Sequence, residues 1–322
     1  SSKPFDGMNK YIRITDIDES SSLYRGDEIV SPDGKLEECY LVKENDILLA
    51  RTGASTGKSY LYRNSDGILY FAGFLIRANI EKHNPLFVFS QLHTHKYWKW
   101  VSIMSTRSGQ PGINSQEFAP FPIYTTSIQE EDKIANLLKL RDERIATQNK
   151  IIEDLKKLKV AIRDKQLNAI RKHYGLNYQI CDLLDYEQPT KYVVTDTEYS
   201  EDRSKTPVLT ANKAFILGYT DENFGVYDNG ACIILDDFTL DCKYVDFPFK
   251  VKSSAIKILT VKNSYSLRYV YEYLNYLNLE TTEHKRHYIS EIEPMMIAYP
   301  TDKKKIDDFK NMMSSLESKI EI

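Results

Sequence analysis

Short apolar runs separated by turn-forming residues fill the first third of the chain. Lys10–Ile17 alternates apolar and polar residues, and Asn45–Arg51 has a polar lead-in followed by a continuous apolar run. Alternation is typical of a half-buried strand, and a short continuous run is typical of a fully buried one. Ser59–Tyr62 and Phe74–Ile80 predict two more strands. Pro85–Ser102 predicts an aromatic-rich helix.

A long charged segment follows. Gln129–His173 contains neither proline nor glycine and is rich in strong helix formers. A helix of this length would extend about 60–65 Å. Ser127 with Glu130 fits a capping box at its start, and Gly175 fits its end. Its apolar residues recur in steps of three, four and seven, as in a coiled coil, and predict a subunit interface: Ile134, Leu138, Ile145, Ile152, Leu155 and Ile162.

The second half of the chain returns to short strands and turns. The predicted strands are Lys191–Val194, Phe215–Leu217, Ala231–Leu235 and Ala255–Leu259. Leu267–Leu277 predicts a second aromatic-rich helix. The final segment, Asp302–Ile322, predicts an amphipathic helix whose apolar side we add to the interface: Ile306, Phe309 and Met313.

The two halves repeat the same order of elements. Gln116–Ile123 precedes the first charged helix and Ser290–Ile297 the second, and both place Glu, an apolar residue, Pro and Ile at matching positions. The repeat predicts an α+β protein with two similar α/β domains at 1–125 and 175–300, and with helical segments at 126–174 and 301–322. A duplication without functional meaning is the alternative interpretation.

Composition agrees with about two globular domains in 322 residues. Four cysteines without a CxxC pair favour a reducing cytoplasm, and no apolar run is long enough to span a membrane. Lys3 follows no signal peptide, and we expect a trimmed N-terminus because the chain does not begin with Met. The net charge of −3 argues mildly against a free-standing DNA-binding protein, whereas the 23 tyrosines favour interfaces.

A stiff helix between two similar domains has a clear physical use. It holds two binding units at a fixed spacing, which suits the reading of two sites on one rigid object such as duplex DNA. A helix that only binds partner proteins is the other interpretation, and the two uses are compatible.

Several local sequences resemble the specificity subunit of type I restriction–modification systems. Residues 44–59 and 105–115 resemble its first target-recognition domain, and residues 129–140 resemble the start of its central conserved helix. Residues 206–220 and 236–250 resemble a second recognition domain. The family's opening segment is missing here, and the distal helix is shorter than the central one.

The resemblance implies a non-catalytic, DNA-binding protein. Two recognition domains on an antiparallel, coiled-coil-like helical pair would each read one half of a gapped double-stranded DNA target. Two methyltransferase subunits would bind S-adenosylmethionine and methylate a flipped-out adenine in each half. Two restriction subunits, using ATP and Mg²⁺, are possible further partners. This chain itself would bind no cofactor or metal.

Polar loop residues are the candidates for DNA contact, because base edges are read by hydrogen bonds in the major groove. In this set Arg107 suits guanine and Gln110 suits adenine, whereas Lys58 also suits a phosphate. The first-half candidates are Arg51, Thr52, Ser55, Thr56, Lys58, Ser59, Thr106, Arg107, Ser108 and Gln110. The second-half candidates are Thr210, Asn212, Lys213, Asp237, Thr239, Lys243, Lys250, Lys252, Ser253, Ser254, His284, Lys285, Arg286 and His287.

Other chemistries fit less well. Gly53–Ser59 has three residues between its glycines, whereas a P-loop needs four. Asp236 and Asp237 could form a nuclease-like carboxylate pair, but capping a turn or accepting from cytosine fits better. The sequence also contains no Asn-Pro-Pro-Tyr methyltransferase motif. A protein-binding scaffold with two repeated domains is the alternative function.

Overall fold

The computed structural model describes residues 1–106, 110–212, 214–283 and 285–320. The chain forms two compact units, residues 1–147 and 148–322. Each unit has its own apolar interior, and the two are described separately below.

In the part of the first unit that the structure describes, seven short strands, with three 3₁₀ turns between them, are followed by four α-helices. The strands are β1 (Ser2–Pro4), β2 (Lys10–Ile12), β3 (Val30–Pro32), β4 (Asp46–Ala50), β5 (Ser59–Leu61), β6 (Leu69–Phe71) and β7 (Leu75–Asn79). The helices are α1 (Pro85–Gln91), α2 (His95–Met104), α3 (Ser115–Phe118) and α4 (Ile128–Tyr174), the last of which continues into the second unit.

Strand β4 is the centre of this unit. It lies between β5 and β7 in an antiparallel sheet, with Ile47 opposite Leu61 on one side and Ala78 on the other. Ile47 and Leu49 face α1 and α2, whereas Leu48 and Ala50 face the parallel pair of β2 and β6. A strand that is covered on both faces needs apolar residues at every position, which explains the continuous run in the sequence.

Among its described residues, the second unit contains nine strands and three short helical elements besides its longer helices. The strands are β8 (Tyr178–Gln179), β9 (Leu184–Glu187), β10 (Thr206–Leu209), β11 (Ile216–Thr220), β12 (Cys232–Asp236), β13 (Cys242–Val245), β14 (Lys250–Val251), β15 (Ile256–Val261) and β16 (Met296–Ile297). The helices are α5 (Ile180–Leu183), α6 (Leu267–Leu277) and α7 (Lys303–Ile320), with a π-helical turn at Tyr288–Ile292.

The second unit repeats the layers of the first. Strand β12 lies between β13 and β15 in an antiparallel sheet, and β10 pairs with β14 in parallel, as β2 does with β6. Ile233 and Leu235 face α6, whereas Cys232 and Ile234 face the parallel pair. The predicted duplication is therefore confirmed as a shared topology, with β9 added at the edge of the second sheet.

The end of α4 and helix α7 run antiparallel. Lys159 of α4 forms an ion pair of 2.5 Å with Glu317 near the end of α7. Lys305, near the start of α7, lies 5.1 Å from the centre of the Tyr174 ring at the end of α4. Residue numbers increase along α4 where they decrease along α7, so the two helices are antiparallel. The predicted α+β fold with an antiparallel helical pair is therefore confirmed.

Three residues of the predicted interface have another role. Ile306, Phe309 and Met313 are buried with α6 residues in the core of the second unit, and Ile162 of α4 packs against the same core. Their apolar face is covered by this chain itself. Placing them in a subunit interface was therefore wrong. An amphipathic pattern shows that one face of a helix is buried, but not whether it packs against the same chain or against another subunit.

The start of α4 is anchored one position later than the predicted capping box. The buried carboxylate of Glu131 accepts hydrogen bonds from the backbone N–H groups of Asn84 (2.9 Å) and Thr126 (3.2 Å). His83 Nδ1 lies 2.9 Å from the same carboxylate. Glu131 thus joins the first turn of α4 to the start of α1.

Several predicted elements differ in detail. Within the predicted first strand, Lys10–Ile12 forms the strand β2, and Ile14–Asp16 forms a 3₁₀ turn. Lys191–Val194 is not a strand, because Pro189–Tyr192 forms another 3₁₀ turn. The predicted helix Pro85–Ser102 is two helices, because the Thr94 side chain accepts from Tyr97 N–H and starts a new one. The predicted helix Leu267–Leu277 has exactly the predicted bounds.

Candidate nucleic-acid interface

Three loops meet at one end of the first sheet, and we call residues 51–58, 72–74 and 110–112 the first loop cluster. The backbone N–H of Arg51 donates to the Phe74 carbonyl (3.1 Å), and that of Gly53 donates to the Pro111 carbonyl (2.9 Å). The N–H of Ile113 donates in turn to the Arg51 carbonyl (2.9 Å). The sequence segments that resembled recognition loops are therefore fixed to one another through their backbones.

Two glycines shape the longest of these loops. Gly53 and Gly57 have φ values of +76° and +92°, which side-chain-bearing residues rarely adopt. A Cβ at Gly57 would lie 2.7 Å from the Val101 side chain, and the Gly57 carbonyl accepts from the Tyr97 hydroxyl (2.7 Å). These glycines allow the loop to make a tight turn that packs against α2.

Most first-half candidates are accessible, and two are not. Arg51, Thr106 and Gln110 are exposed, and Thr52, Ser55 and Lys58 are half-buried. Thr56 is buried and donates to the Gly53 carbonyl (2.7 Å), and Ser59 is buried within β5. The side chains of Thr56 and Ser59 stabilise the loop and its strand, so naming them as DNA contacts was wrong. Arg107 and Ser108 lie outside the described residues.

The accessible cations of this cluster differ in their surroundings. Lys58 forms an ion pair of 2.6 Å with Glu19, so its charge is already matched. The guanidinium of Arg51 makes no hydrogen bond or ion pair with any described residue. Arg51 is therefore the better candidate for an external anion or base edge.

The sequence analysis missed Phe74 within this cluster. Its side chain is 63% exposed, although its carbonyl holds the Arg51 backbone. In the sequence it looks like the first residue of a predicted strand. Only the position of the turn between β6 and β7 places it at the tip of the cluster.

The second unit contains an equivalent second loop cluster, formed by residues 237–241, 252–255 and 285–287. The N–H of Asp237 donates to the Ala255 carbonyl (2.9 Å), as Arg51 does to Phe74. The N–H of His287 donates to the Asp237 carbonyl (3.0 Å), as Ile113 does to Arg51. The two clusters therefore share one backbone framework.

The shared framework also aligns the two halves residue by residue. Lys252 N–H donates to the Leu209 carbonyl at the end of β10, as Ala72 N–H does to Ile12 at the end of β2, both at 3.0 Å. The basic segment before His287 therefore corresponds to residues 110–112.

The second cluster exposes a different set of side chains. Thr239, Lys252, Ser253 and Ser254 are exposed, as are Asn212, Lys285 and Arg286, and Lys243 is half-buried. Lys252 forms no ion pair with a described residue, whereas Lys285 pairs with Glu283 (2.6 Å) and Glu291 (3.0 Å). Lys213 and His284 lie outside the described residues.

Asp237 points inward and not toward solvent. Its carboxylate accepts from the backbone N–H groups of His287 (3.1 Å) and Tyr288 (2.8 Å) and lies 3.4 Å from the buried ammonium of Lys257. Its neighbour Asp236 accepts from the N–H groups of Phe238 and Thr239 and so caps the turn. The prediction that Asp237 contacts DNA was wrong, and a turn-capping role holds for Asp236.

Lys250 is also an internal residue. Its side chain is 0% exposed and lies 2.7 Å from both the Glu222 carboxylate and the Phe224 carbonyl. Burial raises the pKa of Glu222, but hydrogen bonds from Lys250, Thr195 and the backbone of Asp196 outweigh it and lower the pKa to about 2. Lys250 therefore balances a buried carboxylate and is removed from the DNA-contact set.

Two more second-half candidates are buried. His287 lies within 3.2 Å of the Glu283 carbonyl and 2.9 Å of the Glu291 carboxylate, and both raise the pKa of its imidazole. Thr210 is buried at the end of β10, where its N–H donates to the Phe215 carbonyl. Both residues shape the cluster from inside, so naming them as DNA contacts was wrong.

The two loop clusters differ in composition from a metal site. Within the described part of the chain, no three His, Cys, Asp or Glu side chains come together as a metal site would require. Both clusters consist of loops with hydroxyl, amide and cationic side chains on a rigid sheet. Such a surface suits hydrogen bonding to a polar partner.

The first half of the chain is similar to a known protein family. Residues 2–157 match the family described as type I restriction modification DNA specificity domain. These residues make up just under half of the 322-residue chain. The first loop cluster lies entirely within the matched segment.

A similar protein is the EcoR124I/EcoR124II specificity subunit of Escherichia coli, a type I restriction enzyme subunit. It is 48% identical over 125 residues, which make up 37% of this chain and 31% of that protein. The match thus spans about a third of the relative's length.

Solved structures share the fold over nearly the whole chain. The S subunit of a type I restriction–modification system from M. genitalium has a TM-score of 0.60 and 15% identity, covering 99% of this chain and 84% of that one. A chain from a structure of type I R-M complex assembly and conformational transition has a TM-score of 0.53 and 12% identity, covering 97% and 84%. The common fold therefore includes the second unit, beyond residue 157.

Across the residues that the structure describes, no helix has the length and apolar character needed to cross a membrane.

Proposed function

We propose that this chain is the DNA-sequence-reading subunit of a type I restriction–modification complex, with one loop cluster for each half of a gapped duplex target. The main support for this proposal is that the same pattern of backbone hydrogen bonds occurs in both loop clusters, which expose different side chains. Two copies of a reader with different residues at the tip suit a target with two different halves. The gap between the halves would then reflect α4, which connects the two domains.

The residues proposed to contact DNA are those that remain accessible. In the first half they are Arg51, Thr52, Ser55, Lys58, Thr106 and Gln110, and in the second half Asn212, Thr239, Lys243, Lys252, Ser253, Ser254, Lys285 and Arg286. Arg51 and Lys252 come first, because their charges are not matched by any described residue. Arginine contacts with guanine edges specify a base, whereas lysine contacts with phosphate mainly position the protein.

We assign the chemistry to partners. Two methyltransferase subunits would bring S-adenosylmethionine and methylate an adenine in each half, and restriction subunits with ATP and Mg²⁺ would join them. The proposed non-catalytic role of this chain is supported by the family that residues 2–157 match, whose description is DNA specificity. The domain limits for these roles are 1–125, 126–174, 175–300 and 301–322.

The test is a selection from random duplexes with this chain bound to its methyltransferase, followed by sequencing of the bound DNA. We expect a gapped motif with two short halves. Arg51→Ala should then relax one half, and the matched change Lys252→Ala should weaken binding without changing that half. Failure to enrich any sequence, in a complex that is otherwise intact, would reject the proposal.

A protein-binding scaffold is the second candidate, favoured by the exposed apolar residues of α4. Leu137 and Leu140 are 68% and 55% exposed. An intact complex that binds DNA without any sequence preference would favour this scaffold role.

A further inference from the structure

The strongest unassigned feature is the side chain of Phe74, at the tip of the first loop cluster. Ala72 and Leu75, on either side of the turn, are buried, whereas the Phe74 ring is 63% exposed. No other described ring or cation packs against it. A single exposed apolar residue is common on a protein surface. Its exposure alone therefore does not indicate a function, whereas its position within the first loop cluster does.

That position is rigid. The N–H of Leu75 donates to the Ala72 carbonyl (2.9 Å), that of Ala72 to Ile12 (3.0 Å), and that of Arg51 to Phe74 itself (3.1 Å). The turn is thus fastened to β2 and to the loop that carries Arg51. A ring presented in this way loses little conformational entropy when it binds a partner.

We propose that Phe74 makes an apolar contact with the 5-methyl group of a thymine in the half-site read by the first cluster. The proposal rests on the proposed function. Arg51 and Gln110, in the same loop cluster, have side chains of the types that read base edges in the major groove. The apolar group that bases present in this groove is the 5-methyl group of thymine. The Phe74 ring could make an apolar contact with this methyl group, while Arg51 and Gln110 form hydrogen bonds with the polar atoms of the base edges.

The second unit supplies an internal comparison. Ala255 occupies the equivalent position, because its carbonyl accepts from Asp237 as that of Phe74 accepts from Arg51. The alanine side chain extends only one carbon from the backbone and is half-buried. The thymine contact therefore belongs to one half of the target only.

The experiment uses Phe74→Ala in the complex with the methyltransferase, in the same duplex selection. We expect one A·T pair to lose its preference, in the half that Arg51→Ala also alters. Replacing that thymine by deoxyuracil should weaken binding of the unaltered complex by about three- to fivefold, the effect of losing one buried methyl. The same replacement should have no effect on Phe74→Ala.

Met8→Ala is the matched control. Met8 is 64% exposed and lies before β2, at the opposite end from the loop cluster, so its replacement should leave the motif unchanged. Thermal unfolding of both variants should match that of the original chain, which separates a lost contact from a lost fold.

The outcomes separate this inference from the proposed function. If the unaltered complex enriches a gapped motif and Phe74→Ala enriches the same one, the thymine contact is rejected and the proposed function stands. If Phe74→Ala weakens binding while deoxyuracil does not, the ring acts as a wedge between bases, and the methyl contact is rejected. If the unaltered complex enriches nothing, the proposed function itself fails.

Discussion

Arg51 and Asp237 occupy the same place on the two frameworks and point in opposite directions. The Arg51 side chain is exposed, whereas Asp237 holds the backbone of residues 287 and 288 from inside. A buried carboxylate is tolerated when hydrogen bonds and an opposite charge compensate its lost hydration, and Lys257 supplies that charge. The second cluster thus has a stabilising residue where the first has a candidate reader.

Asp237→Ala should strongly destabilise the protein. The change leaves the Lys257 ammonium buried without its ion-pair partner and the Tyr288 N–H without its carboxylate acceptor, which we expect to cost about 3–5 kcal/mol of unfolding free energy. Urea unfolding followed by circular dichroism measures the loss. Asp246→Ala, at an exposed position of the same unit, should change it by less than about 0.5 kcal/mol. Equal effects of the two changes would contradict this role of Asp237.

Glu222 should make stability depend on pH in the acid range. Its pKa is lowered from 4.5 to about 2, so its contribution is present above the unfolded value and is lost as the pH falls toward 2. Glu222→Gln should lower the unfolding temperature at about pH 6 and have almost no effect near about pH 2. Thermal unfolding at several pH values measures this, with Glu201→Gln, on an exposed residue, as the control. If the difference in unfolding temperature between Glu222→Gln and the original chain is the same at every pH in this range, the predicted titration of Glu222 is wrong.

At the scale of single elements, α4 has two different surfaces. Its final turns are covered by α7 and by the core of the second unit, through residues such as Leu167 and Ile170. Farther toward its start, Ile145 is 52% exposed, and Ile134, Leu138, Ile152 and Leu155 are half-buried. These five remain the predicted interface with a methyltransferase subunit, because the described residues of this chain leave them at least partly exposed.

Ile145→Gln should weaken assembly and leave the fold intact. The change removes apolar area from the exposed row while keeping a good helix former, and we expect about tenfold weaker binding of the methyltransferase. Analytical ultracentrifugation or titration calorimetry measures the affinity. Glu143→Gln, two residues away and exposed, is the matched control. Unchanged affinity of the Ile145 variant would remove this residue from the interface.

At the scale of the whole molecule, charge limits what the chain can do alone. Its net charge is −3, and cations near the clusters, such as Lys58 and Lys285, are already paired with carboxylates. Affinity for duplex DNA depends mainly on the number of phosphates that cations neutralise. The methyltransferase subunits would therefore have to provide much of the phosphate contact.

The salt dependence of DNA binding should show how the phosphate contacts are shared between this chain and the methyltransferase subunits. For the isolated chain we expect a slope of log affinity against log salt of only about −2 to −4, as for two to four phosphate contacts, and a steeper slope for the complex. Fluorescence anisotropy with the selected duplex at several salt concentrations measures both. An isolated chain with as steep a slope as the complex would show that the partners add no phosphate contacts.

The sequence alone determined the large elements and their repetition. Continuous apolar runs identified β4 and β12, and the absence of proline and glycine identified α4, because backbone and hydrophobic rules act locally. The matching segments before α4 and α7 revealed the duplication, which equivalent hydrogen bonds at Ile113 and His287 then confirmed.

Tertiary structure alone decided which polar residues face outward. Asp237, Lys250 and His287 look like surface groups in the sequence, but each is buried beside a partner distant in the chain, such as Lys257 or Glu222. The same holds for Phe309, covered by α6, and for Phe74, left exposed by a turn. Side-chain direction depends on contacts between remote segments, and a local pattern contains no information about those contacts.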